Sequence, residues 1–177
     1  MESVMDKVIN KDFGLEDYSQ TMSFQCLDAI EISLFIEKEG LRFYEKAAKN
    51  VFDRRVRDMF LRLANEEKDH VQTLQTKIQY LRPAISGKGK AETRADVFVN
   101  EELKGKIFSS SDAETVKKYK SDVKALEYGI ESEKRSINIL SQLLENEKKL
   151  DVKTVFTHLI VEEKQHLALL EGLRKNI

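Results

Sequence analysis

Residues 63–70 read Leu-Ala-Asn-Glu-Glu-Lys-Asp-His, and Glu67 and His70 within them form a Glu-x-x-His pair that indicates the architecture of the chain. Residues three apart on a helix lie about 5–6 Å apart at Cβ, so this Glu-x-x-His pair places a carboxylate and an imidazole on one helix face. Another glutamate, Glu37, lies thirty positions upstream. The three side chains are of the types that bind a metal ion.

The same set recurs in the second half of the chain. Glu133, Glu163 and His166 each follow their counterparts in the first set by 96 positions. Chance rarely keeps three spacings in register, so the pattern indicates a duplicated helical hairpin. The sequence therefore predicts one metal site assembled from two matching halves.

The composition is typical of a helical domain. The chain has 177 residues, enough for one well-buried core, with 41% hydrophobic and 34% charged side chains but only one proline and seven glycines. The formal net charge of −1 provides no field that would recruit nucleic acid or an anionic membrane. We expect an all-α protein that binds neither.

Cysteine content and hydropathy also exclude several classes. Cys26 is the only cysteine, so an intramolecular disulfide, a four-cysteine iron centre and a Cys-x-x-Cys redox pair are excluded. Residues 1–20 mix charged and apolar side chains and lack the hydrophobic core of a signal peptide. No window reaches the eighteen or so uncharged residues that span a bilayer. We expect a cytoplasmic protein.

Four long helices are predicted from the periodicity of apolar residues. Each candidate ligand stands in the middle of an apolar stripe, as Glu37 does between Leu34 and Leu41. The predicted boundary signals are an N-cap near Ser23, a second N-cap at Asp53, a stop before Pro83, a capping box of Ser111 with Glu114, and a fourth start at Asp151.

A long connection separates the second predicted helix from the third. Residues 83–110 are rich in Gly, Lys, Ser and Thr, whereas the other two connections are short. Such a crossover lets the second hairpin start at the same end as the first, as in ferritin-like four-helix bundles with one long crossover between helices 2 and 3. We predict this bundle over residues 23–177, preceded by an N-terminal extension of residues 1–22.

Buried carboxylates on facing helices predict a bound cation. Four of them would repel one another or take up protons unless positive charge lay between them. Two divalent metal ions balance the four glutamates, while the two histidines bind as neutral imidazoles. Mixed carboxylate and imidazole donors favour two iron ions, although manganese or a mixed pair is also compatible.

The segments 36–44 and 63–70 resemble those of rubrerythrins, non-haem di-iron proteins of the ferritin-like superfamily. The resemblance extends from about Cys26 to Leu173, excluding the crossover. It implies a diferrous centre that reduces peroxide or dioxygen and is re-reduced by a small electron-transfer protein. Because a rubredoxin domain would need cysteine pairs, the resemblance implies a separate donor such as a rubredoxin, and a homodimer rather than a hollow shell.

Individual roles follow from combining this resemblance with the spacing. Glu67 and Glu163 are predicted to bridge the metals, with Glu37 and His70 completing one metal and Glu133 and His166 the other. Tyr44, retained on the first helix, is the candidate catalytic residue, because its hydroxyl could orient a ligand or donate to bound peroxide.

Two departures from the rubrerythrin pattern keep alternatives open. Ser136 stands where these proteins carry a seventh glutamate, and Leu140 and Ser141 occupy the region of an expected tyrosine. The six-ligand set is closer to the ferroxidase centres of ferritins and bacterioferritins. One alternative is therefore a ferroxidase that serves iron sequestration. Another is a di-iron hydroxylase, which would need an apolar channel to the metals.

Three ionisable neighbours of the ligands are predicted to lie outside the site. Glu66 and Glu162 precede the ligand glutamates and face about 100° away on an ideal helix, so both are assigned to solvent. His158 lies one turn before Glu162, which favours a surface contact between the two over a third imidazole ligand.

Overall fold

The computed structural model describes residues 24–82, 93–108 and 121–177. Within these ranges the chain forms four long helices and one short one and contains no strand. The helices are α1 (Cys26–Ala48), α2 (Arg54–Leu81), α3 (Arg94–Phe98), α4 (Asp122–Asn146) and α5 (Leu150–Arg174). The predicted all-α bundle is therefore confirmed, while the division between residues 1–22 and 23–177 stays a prediction because residues 1–23 lie outside the described ranges.

Helix boundaries follow local capping chemistry. The Asp53 carboxylate accepts a hydrogen bond from the backbone N–H of Arg55 at 2.7 Å, which confirms it as the N-cap of α2. That helix ends at Leu81, two residues before the proline that could not continue it. Helix α5 begins at Leu150, one residue earlier than predicted.

The first residues of α1 and α4 are not those predicted from the sequence. Helix α1 begins after Gln25, whose backbone N–H donates to Asp28 at 2.7 Å. Helix α4 is capped by Ser121, whose hydroxyl accepts from the backbone N–H of Lys124 at 3.3 Å. The caps predicted at Ser23 and at Ser111 with Glu114 lie outside the described residues.

The bundle consists of two hairpins. Helix α1 packs along α2 and α4 packs along α5, as short loops at 49–53 and 147–149 require. The hairpins meet through contacts of α1 with both α5 and α4 and of α2 with α5. All four candidate ligand helices therefore surround one core.

The described part of the crossover, residues 93–108, is helical and well packed. Helix α3 continues into a π-helical turn at Val99–Leu103, and the side chains of Phe98 and Phe108 are buried. The ring of Phe98 meets Phe24 edge-on at 5.4 Å, and Phe108 packs against Phe43 at 5.6 Å. The crossover thus completes the apolar shell on one side of α1.

None of the helices in residues 24–82, 93–108 and 121–177 combines the length and the apolar character that a membrane-spanning segment needs.

Candidate metal centre

All four long helices contribute buried ionisable side chains to the middle of the bundle. Five of the six predicted ligands are at most 2% exposed, and the sixth, His70, is half-buried. Two groups have donor atoms within 4.8 Å of one another: Glu37, Glu67 and His70, and Glu67, Glu133, Glu163 and His166. The structure therefore brings the predicted ligands together.

Glu67 belongs to both groups, and its two oxygens face opposite sides of the site. Its Oε2 lies 4.0 Å from Nδ1 of His70, and its Oε1 lies 3.2 Å from Nδ1 of His166. A carboxylate shared by the two groups would contact a cation held by either of them. The bridging roles of Glu67 and Glu163 both stay predictions, and Glu163 belongs only to the group around His166.

The remaining donor distances are short on both sides. Nδ1 of His70 lies 3.2 Å from Oε2 of Glu37. Nδ1 of His166 lies 3.5 Å from Glu163 and 3.7 Å from Glu133. The two imidazole rings are nearly parallel, with their centroids 6.1 Å apart. Each histidine thus directs the same nitrogen into the site, as the duplication predicts.

Unsatisfied polar atoms show that the donor set suits a cation. Within the described residues, four buried site atoms have no hydrogen-bond partner: Oε2 of Glu67, Glu133 and Glu163, and Nδ1 of His166. Buried polar atoms in native proteins are nearly always paired, so a cluster of lone-pair donors requires an explanation. Divalent metal ions would satisfy all four atoms and offset the carboxylate charges.

Proton affinities in the cluster are strongly perturbed. Burial raises the pKa of the Glu67 and Glu133 carboxyls well above the usual range. Burial opposes the charge on His166, yet contacts with Glu163 and Glu133 raise its pKa to about 9. Burial likewise acts to raise the pKa of Glu163, but its close contacts, first with the imidazole of His166, hold it below its usual value. Protons therefore occupy the cluster when metal does not.

Gly40 on α1 and Ser136 on α4 occupy equivalent positions and affect Glu67 and Glu163 in different ways. Ser136 is fully buried, and its hydroxyl donates to Oε1 of Glu163 at 2.8 Å. Its counterpart 96 positions earlier is Gly40, where a Cβ atom would lie 2.9 Å from Oε1 of Glu67. The absence of a side chain at Gly40 thus gives Glu67 its room, while Ser136 orients the equivalent carboxylate.

Tyr44 lies inside the site rather than at its edge. Its side chain is fully buried and stacks on Phe60 at 5.8 Å, and its hydroxyl donates a hydrogen bond to Oε1 of Glu133. Burial, followed by the charge of Glu133, raises the pKa of Tyr44 well above its usual value. Tyr44 is therefore a neutral donor that positions a candidate ligand, and its catalytic role stays a prediction.

Glu66 and Glu162 differ from their predicted placement in solvent. Oε1 of Glu162 lies 3.2 Å from Nε2 of His70, and Oε2 of Glu66 lies 3.4 Å from Nε2 of His166. Each glutamate thus reaches the histidine of the opposite hairpin. The predicted placement in solvent was wrong because the helix face that points away from its own hairpin lies against the neighbouring hairpin. In the sequence, Glu66 and Glu162 are 96 positions apart, as the ligands are, and this spacing was the signal that could have identified them.

Glu66 and Glu162 each have a second partner, Arg62 and His158 respectively, and these two residues are also 96 positions apart. Nε of Arg62 lies 2.8 Å from Oε1 of Glu66, and Nε2 of His158 lies 3.4 Å from Oε1 of Glu162. The predicted contact of His158 with Glu162 is confirmed. The guanidinium of Arg62 thus supports Glu66, whereas the imidazole of His158 supports Glu162.

The two sides of the centre differ in access. The side chain of His70 is 26% exposed, and that of His166 is 3% exposed. A cavity of about 320 Å³ reaches Glu37 and His70, and neither Glu133 nor His166 lines it. Small molecules can therefore approach the centre from the His70 side.

Comparison with known proteins agrees with this arrangement. A sequence model of the rubrerythrin family matches residues 28–174, and another match covers residues 13–78. The longer match contains all six candidate ligands. No curated protein and no solved structure matches the chain.

Proposed function

Because this chain belongs to the rubrerythrin family, a family of di-iron proteins, we propose that it is a di-iron oxidoreductase that reduces hydrogen peroxide within the bundle. The observation that carries the proposal is the position of Glu67, which is shared by two ligand groups and directs one oxygen toward each histidine. A mononuclear site would not need a second, matching set of donors.

The donor chemistry assigns each metal a set of residues. Glu37 and His70 would hold one iron, Glu133, Glu163 and His166 the other, and Glu67 would contact both. When bound, two ferrous ions supply the two electrons that convert hydrogen peroxide and two protons into two water molecules. Carboxylate and imidazole donors also accept manganese, which stays compatible with the site.

The protein's own side chains orient the ligands and control solvent. Tyr44 holds one oxygen of Glu133, and Ser136 holds one oxygen of Glu163. Buried aromatic rings, including Phe60, separate this end of the centre from bulk water. Fixed ligands need little reorganisation during reaction, and exclusion of water limits side reactions. The reactants would enter beside His70, where the only half-buried candidate ligand lies.

The proposed partners follow from the reaction. Each cycle leaves the centre oxidised, so a separate electron-transfer protein such as a rubredoxin would restore it. Dioxygen would be a second, slower oxidant. We further propose a homodimer, and the cytoplasm stays our prediction for the compartment.

Iron oxidation for sequestration is the second candidate function. It is favoured by Ser136, which is fully buried and bonded to Glu163 in the place of a seventh carboxylate. A six-ligand centre of this kind would oxidise ferrous iron with dioxygen and pass it on. Gel filtration gives a first test, because a hollow shell would elute at many times the chain mass of 20.5 kDa.

The deciding experiment loads the protein with two ferrous ions per chain without oxygen and then adds peroxide or dioxygen in separate pulses. Stopped-flow absorbance would follow oxidation of the centre. We expect faster oxidation by peroxide, with one peroxide consumed per two irons. The Glu67→Ala variant serves as the control without an assembled centre. Faster oxidation by dioxygen, with continued uptake of added iron, would support sequestration instead.

A further inference from the structure

The cavity beside His70 is larger than hydrogen peroxide requires. It occupies about 320 Å³ between α1, α2 and α5. A water molecule takes up about 30 Å³ of the liquid, and hydrogen peroxide is only slightly larger. Pockets that bind organic ligands begin at about this cavity's size. The cavity therefore has room for a substrate with a carbon skeleton.

The side chains around the cavity divide into apolar walls, a polar inner end and an exposed mouth. The walls are formed by Ile30, Leu74, Val155 and Leu159. The inner end contains Glu37, His70 and Glu162, and the mouth contains the exposed residues Thr73, Lys77, Thr154 and His158. The cavity is thus an apolar passage from solvent to one side of the candidate metal centre.

We propose that this cavity binds an organic hydroperoxide, ROOH, as a substrate of the centre. The apolar group R would pack against Ile30, Val155 and Leu159, where its burial is favourable. The hydroperoxide group would lie at the inner end, beside Glu37 and His70. This inference rests on the proposed peroxide reduction and adds the class of substrate.

The two ferrous ions of the proposed centre supply the electrons that the proposed reaction needs. The O–O bond of ROOH breaks, two electrons come from the pair of ferrous ions, and two protons are taken up to give ROH and water. A hydrocarbon substrate lacking the O–O bond would instead need dioxygen as co-reactant. The two substrate classes are therefore distinguished by whether turnover continues without oxygen.

Substitutions that fill the cavity with a large side chain would test whether the organic group R binds there. Val155 is half-buried on α5 and lines the cavity, so Val155→Trp would occupy the space proposed for R. Val161 lies on the same helix, is 48% exposed and does not line the cavity, so Val161→Trp is the matched control. Thr154→Trp provides a second filling variant at an exposed position, in case Val155→Trp does not fold.

The first measurement needs no metal. Titration of the metal-free protein with 2-phenyl-2-propanol, the alcohol formed from cumene hydroperoxide, would be followed by amide shifts in NMR spectra. We expect saturable shifts around Ile30, Leu74 and Leu159 in the wild type and in Val161→Trp. The affinity should fall about tenfold or more in Val155→Trp or Thr154→Trp, as expected when a substrate group loses its pocket.

The second measurement compares anaerobic oxidation of the ferrous-loaded protein by cumene hydroperoxide and by hydrogen peroxide. We expect both to react in the wild type, and the organic reaction to slow more than the hydrogen peroxide reaction in the filled variants, because the smaller peroxide needs less of the cavity to reach His70. Reaction with hydrogen peroxide alone, without saturable binding of the alcohol, would overturn the organic assignment and leave the proposed function intact. Equal slowing of both reactions would also overturn it. Reaction with neither would refute the proposed function together with this inference.

Discussion

Oε1 of Glu162 lies 3.2 Å from Nε2 of His70, although the two residues belong to opposite halves of the duplicated chain. The symmetry-related contact, between Glu66 and His166, spans 3.4 Å. In both cases Nδ1 faces the centre while Nε2 faces a carboxylate from the other hairpin. Carboxylates in this position fix the tautomer and raise the basicity of a metal-binding imidazole.

Removing the charge of Glu162 should therefore weaken metal binding at the His70 side. We expect Glu162→Gln to lower the affinity of one of the two metal ions by about 10–100-fold, because the imidazole loses its carboxylate partner. Competition with a chromophoric chelator would measure both affinities. Glu131→Gln, at an exposed position on α4, is the control. Unchanged affinities in Glu162→Gln would show that the contact does not support His70.

The sequence revealed the ligands more readily than their supports. Glu37 and Glu133 could be identified because a carboxylate in the middle of an apolar stripe must be explained, and the spacing of 96 residues links the halves. The contacts of Glu66 and Glu162 depend on how the two hairpins dock, which the periodicity of one helix does not encode. The cavity beside His70 likewise depends on side-chain packing among three helices.

Gly40 should matter to metal binding although it binds no metal. A Cβ atom there would lie 2.9 Å from Oε1 of Glu67, so Gly40→Ala must displace that carboxylate. Changes in the residues that orient metal ligands lower metal affinity by about 10–100-fold, and we expect about a tenfold loss for Gly40→Ala. Isothermal titration with ferrous or manganous ion under argon would measure it.

Gly172 provides the matched control for that substitution. A Cβ atom at Gly172, near the end of α5, would meet no atom within 4 Å. Gly172→Ala should leave metal binding unchanged and stabilise the fold by up to about 1 kcal/mol, because alanine loses less backbone entropy in a helix. Equal metal affinities in the two variants would contradict the role assigned to Gly40.

Tyr44→Phe should destabilise the metal-free protein. The substitution removes the hydroxyl that donates to Oε1 of Glu133 and leaves this buried acceptor without that bond. Such a loss costs about 1–3 kcal/mol in the free energy of unfolding. Urea unfolding followed by circular dichroism would measure the change. Tyr80→Phe, at a side chain that is 80% exposed, should be neutral, and a neutral Tyr44→Phe would show that the hydroxyl does not support the ligand.

Without metal, the protein should lose stability as the pH rises. The pKa of His166 is raised to about 9 in the folded chain, so its contribution is complete below its unfolded value of about 6.5 and is lost as the pH rises through about 9. The raised pKa values of Glu67 and Glu133 act in the same direction, because the folded chain also binds their protons more tightly.

Thermal unfolding of the chelator-treated protein at pH 6, 7.5 and 9 would measure this dependence. We expect the highest Tm at pH 6. His166→Gln should flatten the profile between pH 6.5 and 9, whereas His158→Gln, at an exposed position, should preserve it. Because metal competes with protons for the same donors, the Tm increase on metal loading should grow with pH. A Tm of the metal-free protein that rises with pH would contradict the assigned proton affinities.

The number of metals bound by two alanine variants would test the shared role of Glu67. Glu67→Ala should abolish both ions, because its two oxygens face both histidines. Glu37→Ala should remove only the ion beside His70, since Glu37 belongs to one ligand group. Elemental analysis after anaerobic loading would count the bound ions. We expect none per chain in Glu67→Ala, one in Glu37→Ala and two in the control Glu131→Gln. One ion retained by Glu67→Ala would mean that the two sites are independent and that this carboxylate does not join them.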